Sequence, residues 1–475
     1  MPAGLAARGG VAALENAKLR LVFDAATGTL RELRNKLTGE SYAVRGDEFA
    51  VDDRAFPEFK LESSRLTQGN LEAVYLHPEL RVEVKYTLGD GNGFAEKQIV
   101  ITPSGACALR RLVLSRPEFT AAGLELVCYK HPTFERIEAQ HNYSHRRPPG
   151  TEPVRTYFGR TAKGGFFTGV EMPFDESTHE GNRVMLAMAP NLKLKSGEAL
   201  ACEPVYFGVY ARPPRQRVEG PLYAAESEAM VAMTSAVLGP RRHKSLAAMA
   251  CGWHCEFEQF TWKGEEDVEA DMKSLDFLAE CGVDWMTDSH PWGGEIGKMN
   301  RLTGEQPYEL DAKVRRFLEH ARRRGIKVVQ WPTMNHTHPW WREGGPFRPD
   351  KPEWLRIPVS RPNQTFLDRI RNTRSNCLAN APFFAWILRR NFEALETGYY
   401  DGWCMDGDFW GSGAYFDTTT PVECLAENHD HVRGDANFAC QRTLDRWVAA
   451  VRKRYPEIFV VMCRPPMDLG VWSQR

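Results

Sequence analysis

The stretch GYYDGWCMDGDFWG, Gly398 to Gly411, decides the interpretation of the second half of this chain. From Tyr399 to Met405 it is aromatic and apolar apart from Asp401, which is typical of a short strand in a parallel sheet covered on both faces. Asp406 follows at the carboxyl end of this strand, and nearby glycines let the backbone turn away. In barrels of alternating strands and helices, catalytic groups lie at that end. The stretch therefore predicts an active site of carboxylates among aromatic rings.

Strands and helices alternate on both sides of this stretch. Apolar residues at helical spacing predict a helix over Glu266–Glu280, one around Val314–Ala321 that ends at Gly325, one that starts at Pro382 with Phe384, Leu388, Phe392 and Leu395 on one face, and one around Leu444–Val451. The predicted strands are Ala247–Cys251, Val283–Thr287, Ile326–Trp331, Tyr399–Met405 and Ile458–Met462. The alternation predicts a parallel sheet, and the long loops after the strands favour a (β/α)8 TIM barrel. Because the sequence stops at Arg475 after five such units, we expect an incomplete barrel, with an exposed sheet edge that lowers solubility.

Residues 1–240 have a different pattern and predict an N-terminal antiparallel β-sandwich. Leu19, Leu21 and Phe23 alternate with polar residues ahead of a turn, and the segment Val82–Tyr86 does so ahead of the turn GDGNG. No catalytic constellation is apparent in this half. The polar segment GPRRHK at 239–244 marks the joint, so we place a second domain at 241–475. The predicted fold class is thus multidomain, β followed by α/β.

Composition limits the classes of partner. Lys plus Arg number 61 against 62 for Asp plus Glu, and a net charge of −1 gives no reason to expect nucleic acid or an anionic membrane surface. No apolar window is long enough to span a bilayer, and the amino terminus lacks a signal-peptide pattern, which favours a cytoplasmic location. The oligomeric state is left open. Thirteen Trp and 25 Phe provide flat faces of the kind that stack on sugar rings.

Cysteine and histidine spacing gives little indication of a metal or cofactor. Eleven Cys are spread over the chain without a CxxC pair, so neither a disulfide scaffold nor structural zinc is expected. The run from Asn428 to His431 is compatible with a metal ligand set, but alternating polar residues before a helix are more often a solvated loop. The sequence therefore predicts no organic cofactor and no metal.

Taken together, the strand segments resemble a family. MACGWHCEFE, VDWMTDSHPW, IKVVQWP, WCMDGD and VMCRPP on successive predicted strands, behind a β-sandwich, are similar to clan D glycoside hydrolases, in particular the α-galactosidases of families 36 and 27, with the sandwich favouring family 36. The resemblance implies a retaining α-glycosidase that acts on oligosaccharides or other glycosides. It implies that Asp406 on strand four is the nucleophile and that Asp288 on strand two binds sugar hydroxyls.

Three departures from the family pattern affect the expected chemistry. Cys404 stands where the family has a lysine two residues before the nucleophile, and Asp288 is followed by Ser289 rather than a second aspartate. Both departures argue for a shifted substrate. The family's acid/base aspartate belongs to a later strand, so we expect the general acid to be absent, with Asp468 as the nearby candidate substitute. Asp408 is the alternative nucleophile, because a bulged strand end could present either carboxylate.

Aromatic and basic residues near the predicted strand ends are further candidates for substrate binding. Four tryptophans lie at or just past those ends and suit the walls of a sugar subsite, although core packing explains each of them equally well: Trp253, Trp292, Trp331 and Trp410. Arg464 after the fifth strand is a further candidate. The long segment after strand three, which contains His336 and His338, predicts a binding loop or lid.

Two other functions stay open at this point. A non-catalytic carbohydrate-binding relative would explain Cys404 and the missing acid. A metal-dependent hydrolase on the same barrel would use Asp288, His336, His338 and Asp406 as ligands. The fold alone does not distinguish these functions from a glycosidase, because barrels support all three.

Overall fold

The structure is a computed structural model of the 475-residue chain, and it describes residues 11–129, 156–170, 176–212, 224–238, 264–288, 310, 312–330, 351–357, 376–405 and 423–462. The described residues belong to two compact units, one up to residue 238 and the other from residue 264 onward. The predicted joint at 239–244 lies outside these ranges, so its position stays a prediction. Within these ranges, no helix combines the length and the apolar character that crossing a bilayer requires.

The first unit consists mainly of short strands, as their alternating apolar residues predict. In chain order its described strands are β1 (Val11–Glu15), β2 (Leu19–Asp24), β3 (Leu30–Asn35), β4 (Glu40–Arg45), β5 (Ala50–Val51), β6 (Arg54–Ala55), β7 (Lys60–Thr67), β8 (Asn70–His77), β9 (Leu80–Thr87), β10 (Phe94–Pro103), β11 (Cys107–Leu109), β12 (Leu112–Ser115), β13 (Glu118–Thr120), β14 (Glu125–Tyr129), β15 (Thr156–Arg160), β16 (Gly164–Val170), β17 (Thr178–Glu180), β18 (Arg183–Met188), β19 (Leu192–Leu194), β20 (Leu200–Ala201) and β21 (Val205–Ala211). A 3-10 helix spans Phe56–Glu58, and helix α1 spans Ala224–Leu238.

Two large antiparallel sheets contain most of these strands. The first sheet has the order β1-β2-β3-β4-β13-β18-β12-β5-β6 with β17 beside β18, and the second has the order β14-β15-β16-β21-β10-β9-β8-β7 with β20 beside β10. Strands β11 and β19 form a separate pair. Rings of the two large sheets contact each other, with 5.0 Å between the centroids of Tyr42 and Phe166 and 4.7 Å between those of Phe23 and Tyr86. This arrangement is consistent with the predicted β-sandwich.

A buried charge cluster connects the two sheets. The Asp47 carboxylate accepts a hydrogen bond from Lys97 Nζ at 2.7 Å and one from the Leu30 amide at 3.1 Å, and the hydroxyls of Tyr86 and Ser115 also donate to it. The side chains of Asp47 and Lys97 are 0% and 2% exposed. Burial by itself raises the pKa of Asp47, but attraction to the Lys97 ammonium and the hydrogen bonds outweigh it, so the pKa lies below its usual value.

Two glycines of the second sheet are covered by phenylalanine rings from the neighbouring strands. Phe166 is paired with Gly159 across β15 and β16, and Phe167 is paired with Gly208 across β16 and β21. A Cβ atom added at either glycine would lie 2.0 Å from a ring carbon of the paired phenylalanine. The rings therefore fill the space that side chains would take on the adjacent strands, and both positions require glycine.

Helix α1 corrects the prediction that residues 1–240 form strands alone. Ala225 and Met233 pack into an apolar cluster of the second sheet, and the Glu226 carboxylate accepts hydrogen bonds from the Arg160 guanidinium at 2.7 and 2.8 Å and from the Tyr210 hydroxyl at 3.0 Å. The segment AAESEAMVAMTSAVL is rich in good helix formers. It lacks a clear apolar stripe, so helical periodicity does not predict it.

The second unit alternates helices and strands. Its described elements are helix α2 (Glu265–Glu280), strand β22 (Trp285–Asp288), helix α3 (Ala312–Arg323), strand β23 (Lys327–Gln330), a 3-10 helix (Pro352–Trp354), helix α4 (Ala381–Glu396), strand β24 (Gly402–Met405), strands β25 (Glu423–Cys424) and β26 (Gly434–Asp435), helix α5 (Asn437–Arg454) and strand β27 (Phe459–Met462). Strands β22, β23, β24 and β27 form one parallel sheet in that order. The predicted first strand, Ala247–Cys251, lies outside the described residues, and a closed or incomplete barrel is not established by these four strands.

The buried face of helix α4 differs from the predicted one. Phe384, Leu388 and Phe392 are half-buried, whereas the fully buried positions are Phe383, Trp386, Ile387, Arg390, Asn391, Ala394 and Leu395. The prediction is confirmed for Leu395 but was wrong by one residue at the other three positions, because two of the buried positions are polar. The Arg390 guanidinium is satisfied by Glu393, and Asn391 Nδ2 donates to the Ile387 carbonyl at 2.8 Å.

Candidate active site at the strand ends of the parallel sheet

The carboxyl ends of the four parallel strands lie along one edge of the sheet. Asp288 at the end of β22 is in register with Gln330 at the end of β23, and Gln330 is in register with Trp403 of β24. Met405 and Met462 end β24 and β27 side by side. Neighbouring strands are about 4.8 Å apart, so the backbone of Asp288 is about 10 Å from that of Trp403. The sequence that follows Met405 directly is DGDFW.

The opposite end of the sheet is fixed by polar contacts, which explains the single charged residue in the aromatic stretch. The Asp401 amide donates to the Val328 carbonyl at 2.8 Å, and Asp401 Oδ2 accepts from the Val328 amide at 3.1 Å. Lys327 Nζ lies 4.8 Å from the centre of the Trp285 ring. Asp401 therefore aligns β23 with β24 at their amino ends, and its role is structural.

The sheet is buried on both faces, as the apolar strands predict. Trp285, Met286, Val328 and Val329 are between 0% and 4% exposed. A sheet covered in this way exposes its strand ends rather than its faces, so the functional groups of this unit are expected at the loops that follow the strands.

The predicted site residues fall into two groups in the structure. The backbones of Asp288 and Cys404 are described and lie in β22 and β24, so Asp288 is at the predicted strand end. The others lie outside the described residues: Asp406, Asp408, Asp468, Trp253, Trp292, Trp331, Trp410, Arg464, His336 and His338. Their assignment to the site therefore stays a prediction.

A second group of chemically reactive side chains lies in the described part of this unit. We call Cys377, Cys424, His429 and His431 the cysteine–histidine cluster, because their potential ligand atoms all lie within 4.8 Å of one another. The four residues are between 0% and 3% exposed. Sequence spacing identified the run from Asn428 to His431 as compatible with metal ligands but favoured a solvated loop, which is wrong because both histidines are buried. It missed the two cysteines, and Cys377 is 54 residues from His431. The signal that was present is the pattern Cys424-x4-His429-x-His431.

The thiols of this cluster have raised pKa values. A hydrogen bond with Cys424 lowers the pKa of Cys377, but a hydrogen bond with Cys440 and burial outweigh it, so the net shift is upward. Hydrogen bonding with Cys377 and burial raise the pKa of Cys424. Both cysteines are therefore thiols at neutral pH when no cation is near, and neither is an activated nucleophile.

The fold relates the chain to known proteins. An α-galactosidase of glycoside hydrolase family 36, AgaB from Geobacillus stearothermophilus, superposes with a TM-score of 0.61 at 11% identity, over 100% of this chain and 74% of that one. The chain has the family 36 fold. An AgaA variant from the same organism in complex with raffinose gives a TM-score of 0.61 at 11% identity over 98% of this chain and 74% of its own, and the Lactobacillus brevis α-galactosidase gives 0.56 at 11% over 98% and 72%.

The family 36 fold confirms the resemblance that the strand sequences indicated. The sequence itself matches no protein-family model and no curated protein, so the relation rests on the arrangement of the chain rather than on identical residues. An identity of 11% leaves the chemistry of the site to be argued from this chain's own residues.

Proposed function

We propose that this protein is a retaining α-glycosidase of the α-galactosidase type that cleaves terminal α-linked sugars from oligosaccharides or other glycosides. The observation that carries the proposal is the family 36 fold, with Asp288 at the carboxyl end of β22 and, two strands away in the same parallel sheet, strand β24, whose sequence continues into DGD. The solved relative in complex with raffinose is a family 36 α-galactosidase, which supports an oligosaccharide as the class of substrate.

We also infer that the parallel sheet is the wall of a (β/α)8 barrel. Each of its strands lies beside the preceding one in the chain. An open doubly wound sheet would reverse its order near the middle, whereas a barrel adds every strand on the same side. In such a barrel the loops after β23 and β24 meet above the same opening.

In the proposed mechanism Asp406 is the nucleophile. Its carboxylate attacks the anomeric carbon as the bond to the departing oxygen breaks, which gives a covalent glycosyl–aspartate. Water then attacks the same carbon and releases both the sugar and the aspartate, so the configuration is retained. Asp288, at the end of β22 two strands away, binds the sugar hydroxyls. Cys404 replaces a polar partner near the sugar, which favours a substrate that differs from simple galactosides.

The departing oxygen requires a proton from a second carboxyl group about 5 to 5.5 Å from the nucleophile. Asp468 is the candidate for this role. Loss of the Asp468 carboxyl should therefore slow ordinary glycosides much more than substrates with good leaving groups, which need little protonation.

The experiment that tests the nucleophile uses 2-deoxy-2-fluoro-α-galactosyl fluoride, because fluoride leaves without a general acid. The full chain is incubated with this reagent, digested and mapped by mass spectrometry. We expect one sugar on the peptide that contains Asp406 in the wild type and no label in Asp406→Asn. Asp401→Asn is the matched control, since Asp401 lies in the same stretch but at the amino end of β24, and it should label like the wild type.

A second measurement removes the carboxylate entirely. Asp406→Gly should lower kcat on an aryl α-galactoside by at least about 10³-fold, as removal of the nucleophile does in other covalent enzymes. Added azide should restore turnover and give the β-galactosyl azide. A label on Asp408 would identify that residue, rather than Asp406, as the nucleophile. Folded protein that binds sugars but is never labelled and turns nothing over would instead be a carbohydrate-binding relative, and turnover that is lost in chelator and never accompanied by a covalent label would favour the metal-dependent hydrolase.

A further inference from the structure

The cysteine–histidine cluster is assembled from two distant parts of the second unit. Cys377 precedes helix α4, while Cys424 lies in β25 and the two histidines lie in the loop between β25 and β26. The 3-10 helix and the residues after it connect the two parts, because the Cys377 amide donates to the Trp354 carbonyl at 2.8 Å and the Leu425 amide donates to the Ile357 carbonyl at 2.7 Å. These backbone contacts bring the four side chains together.

Three of the six distances between the potential ligand atoms match the edges of one metal-centred tetrahedron, and the other three are no longer than 4.8 Å. His429 Nδ1 and His431 Nε2 are 3.3 Å apart. Cys377 Sγ is 3.4 Å from His431 Nε2, and Cys424 Sγ is 3.6 Å from His429 Nδ1. With the usual zinc bond lengths, about 2.3 Å to sulfur and about 2.05 Å to nitrogen, tetrahedral geometry gives about 3.3 Å between nitrogens and about 3.6 Å between sulfur and nitrogen.

The outer nitrogen of each histidine is bound to a backbone carbonyl. His429 Nε2 donates to the Glu353 carbonyl at 3.0 Å, and His431 Nδ1 donates to the Val432 carbonyl at 2.8 Å. A carbonyl oxygen accepts only, so these bonds fix the tautomers and leave the lone pairs of His429 Nδ1 and His431 Nε2 turned toward each other. Each of these nitrogens also has a cysteine sulfur beside it, so one cation that takes the place of the thiol protons would be bound by all four atoms. Carbonyl-fixed imidazoles of this kind are typical of metal ligands.

The surroundings favour one class of ion. Two sulfurs and two imidazole nitrogens in a tetrahedral array suit Zn²⁺, whereas the hard oxygen ligands that Mg²⁺ and Ca²⁺ require do not belong to the cluster. Four protein ligands that are almost completely buried leave no position for a substrate or water, which is the arrangement of a structural rather than a catalytic site.

We propose that Cys377, Cys424, His429 and His431 bind one structural Zn²⁺ ion. Binding replaces the two thiol protons, which leave to solvent, with two zinc–sulfur bonds, while the neutral imidazoles add two zinc–nitrogen bonds; no electron is transferred. The inference does not depend on the proposed glycosidase activity.

The position of the ligands gives the ion a specific structural role. Cys377 belongs to the long connection after β23, and the other three residues belong to the connection after β24. Helices α4 and α5, which follow these two connections, run antiparallel to the strands of a β/α unit, so their first turns lie toward the carboxyl ends of the strands. The zinc ion would therefore cross-link the connections that follow β23 and β24, beside the carboxyl ends of the strands where the candidate active site lies.

The test measures metal content and ligand identity on the full chain, purified without chelator and kept reduced. We expect about one zinc ion per chain by plasma mass spectrometry, or the same stoichiometry after titration of stripped, refolded protein. Cys424→Ala and His431→Gln should fall to background. Cys202→Ala replaces a buried cysteine of the first unit and should retain the full amount.

Cobalt substitution of the wild type keeps the test decisive if the ligand variants do not fold. Co²⁺ bound to two thiolates and two imidazoles should give intense tetrahedral d–d bands in the red and a thiolate charge-transfer band in the near ultraviolet, and added zinc should remove both. The proposal is wrong if the reduced, folded chain takes up no zinc or cobalt, if Cys424→Ala and His431→Gln retain zinc, or if peptide mapping finds Cys377 and Cys424 joined in a disulfide.

Discussion

Replacing Lys97 by methionine should lower the free energy of unfolding of the first unit far more than the loss of an exposed ion pair would, because both charges of the Lys97–Asp47 pair are buried. The Asp47 carboxylate is 0% exposed and the Lys97 side chain 2% exposed, with 2.7 Å between Nζ and Oδ1. In Lys97→Met the ammonium is lost, whereas the carboxylate stays buried with only neutral donors around it. The methionine has a similar length and fills the same space, so the change isolates the charge.

The size of the effect follows from the distance and the burial. At an effective dielectric constant of about 20, two unit charges 2.7 Å apart attract by about 6 kcal/mol. Part of this is offset because the lysine no longer has to be dehydrated on folding, so we expect a loss of about 3–5 kcal/mol at pH 7. Lys36→Met is the matched control, because Lys36 and its partner Glu15 are 30% and 46% exposed, and it should cost at most about 1 kcal/mol.

The pH dependence has a definite sign. In the wild type the folded-state pKa of Asp47 is lowered, so its stabilisation is present above the unfolded-state pKa and is lost as the pH falls through the folded-state value. Without Lys97, burial acts unopposed by the ammonium and raises the pKa of Asp47, so acid neutralises the carboxylate and relieves its cost. The stability difference between wild type and Lys97→Met should therefore be largest near pH 7 and shrink toward pH 4.

Hydrogen exchange followed by mass spectrometry in increasing urea measures this effect locally, through peptides from β8 to β10, and does not require the whole chain to unfold in one step. The double variant Asp47→Asn/Lys97→Met removes both charges and should be more stable than the sum of the single variants predicts, by at least about 2 kcal/mol. A loss below about 1 kcal/mol in Lys97→Met, or a loss that does not change with pH, would contradict a stabilising role of the buried ion pair.

Three further predictions concern other parts of the chain. Glu226→Gln should lower the free energy of unfolding of the first unit by about 2–4 kcal/mol, because the Arg160 charge loses its buried partner. Urea denaturation should show no comparable change for the exposed Glu228→Gln of the same helix, and equal effects of the two substitutions would contradict the prediction. Gly208→Ala should cost about 2–3 kcal/mol because its Cβ meets the Phe167 ring, and Gly105→Ala, which meets open space, should be neutral in the same assay. Stripping the zinc should speed hydrogen exchange in residues 423–435 while leaving β8–β10 unchanged; equal exchange with and without metal would argue against a structural ion.

Much of the fold is contained in local sequence patterns. The alternation of Leu19, Leu21 and Phe23 identifies a strand with one buried face, and all three residues are 0% exposed. The aromatic stretch before Asp406 identifies a strand of a parallel sheet, and Gly325 ends helix α3 with a φ of 75°. These features succeed because a two-residue or 3.6-residue repeat and a glycine after a helix depend only on neighbours in the chain.

The features that sequence missed depend on partners far away in the chain. Helix α1 packs through alanines and through a buried carboxylate whose guanidinium partner lies on β15. The buried face of α4 includes Arg390, and a pattern of apolar residues does not identify a buried arginine. The cysteine–histidine cluster brings Cys377 to a histidine 54 residues away. Metal-ligand motifs are recognised by short spacings in the sequence, so they do not identify partners this far apart. Asp288 was placed correctly because a strand end can be read locally.

The strand order of the sandwich has a consequence for how the protein is made. Strand β10 has ten residues and lies inside the second sheet. On one side it pairs with β9, which precedes it in the chain, and on the other side with β21, which follows roughly a hundred residues later. At the usual rates of synthesis this edge waits about 5 to 20 s on the ribosome before its partner emerges. During that interval an unpaired row of amides and carbonyls is open to other chains. The yield of folded protein should therefore depend on how well the cell shields the nascent chain before Val205–Ala211 emerges, whereas in the second unit each new strand finds its neighbour already made.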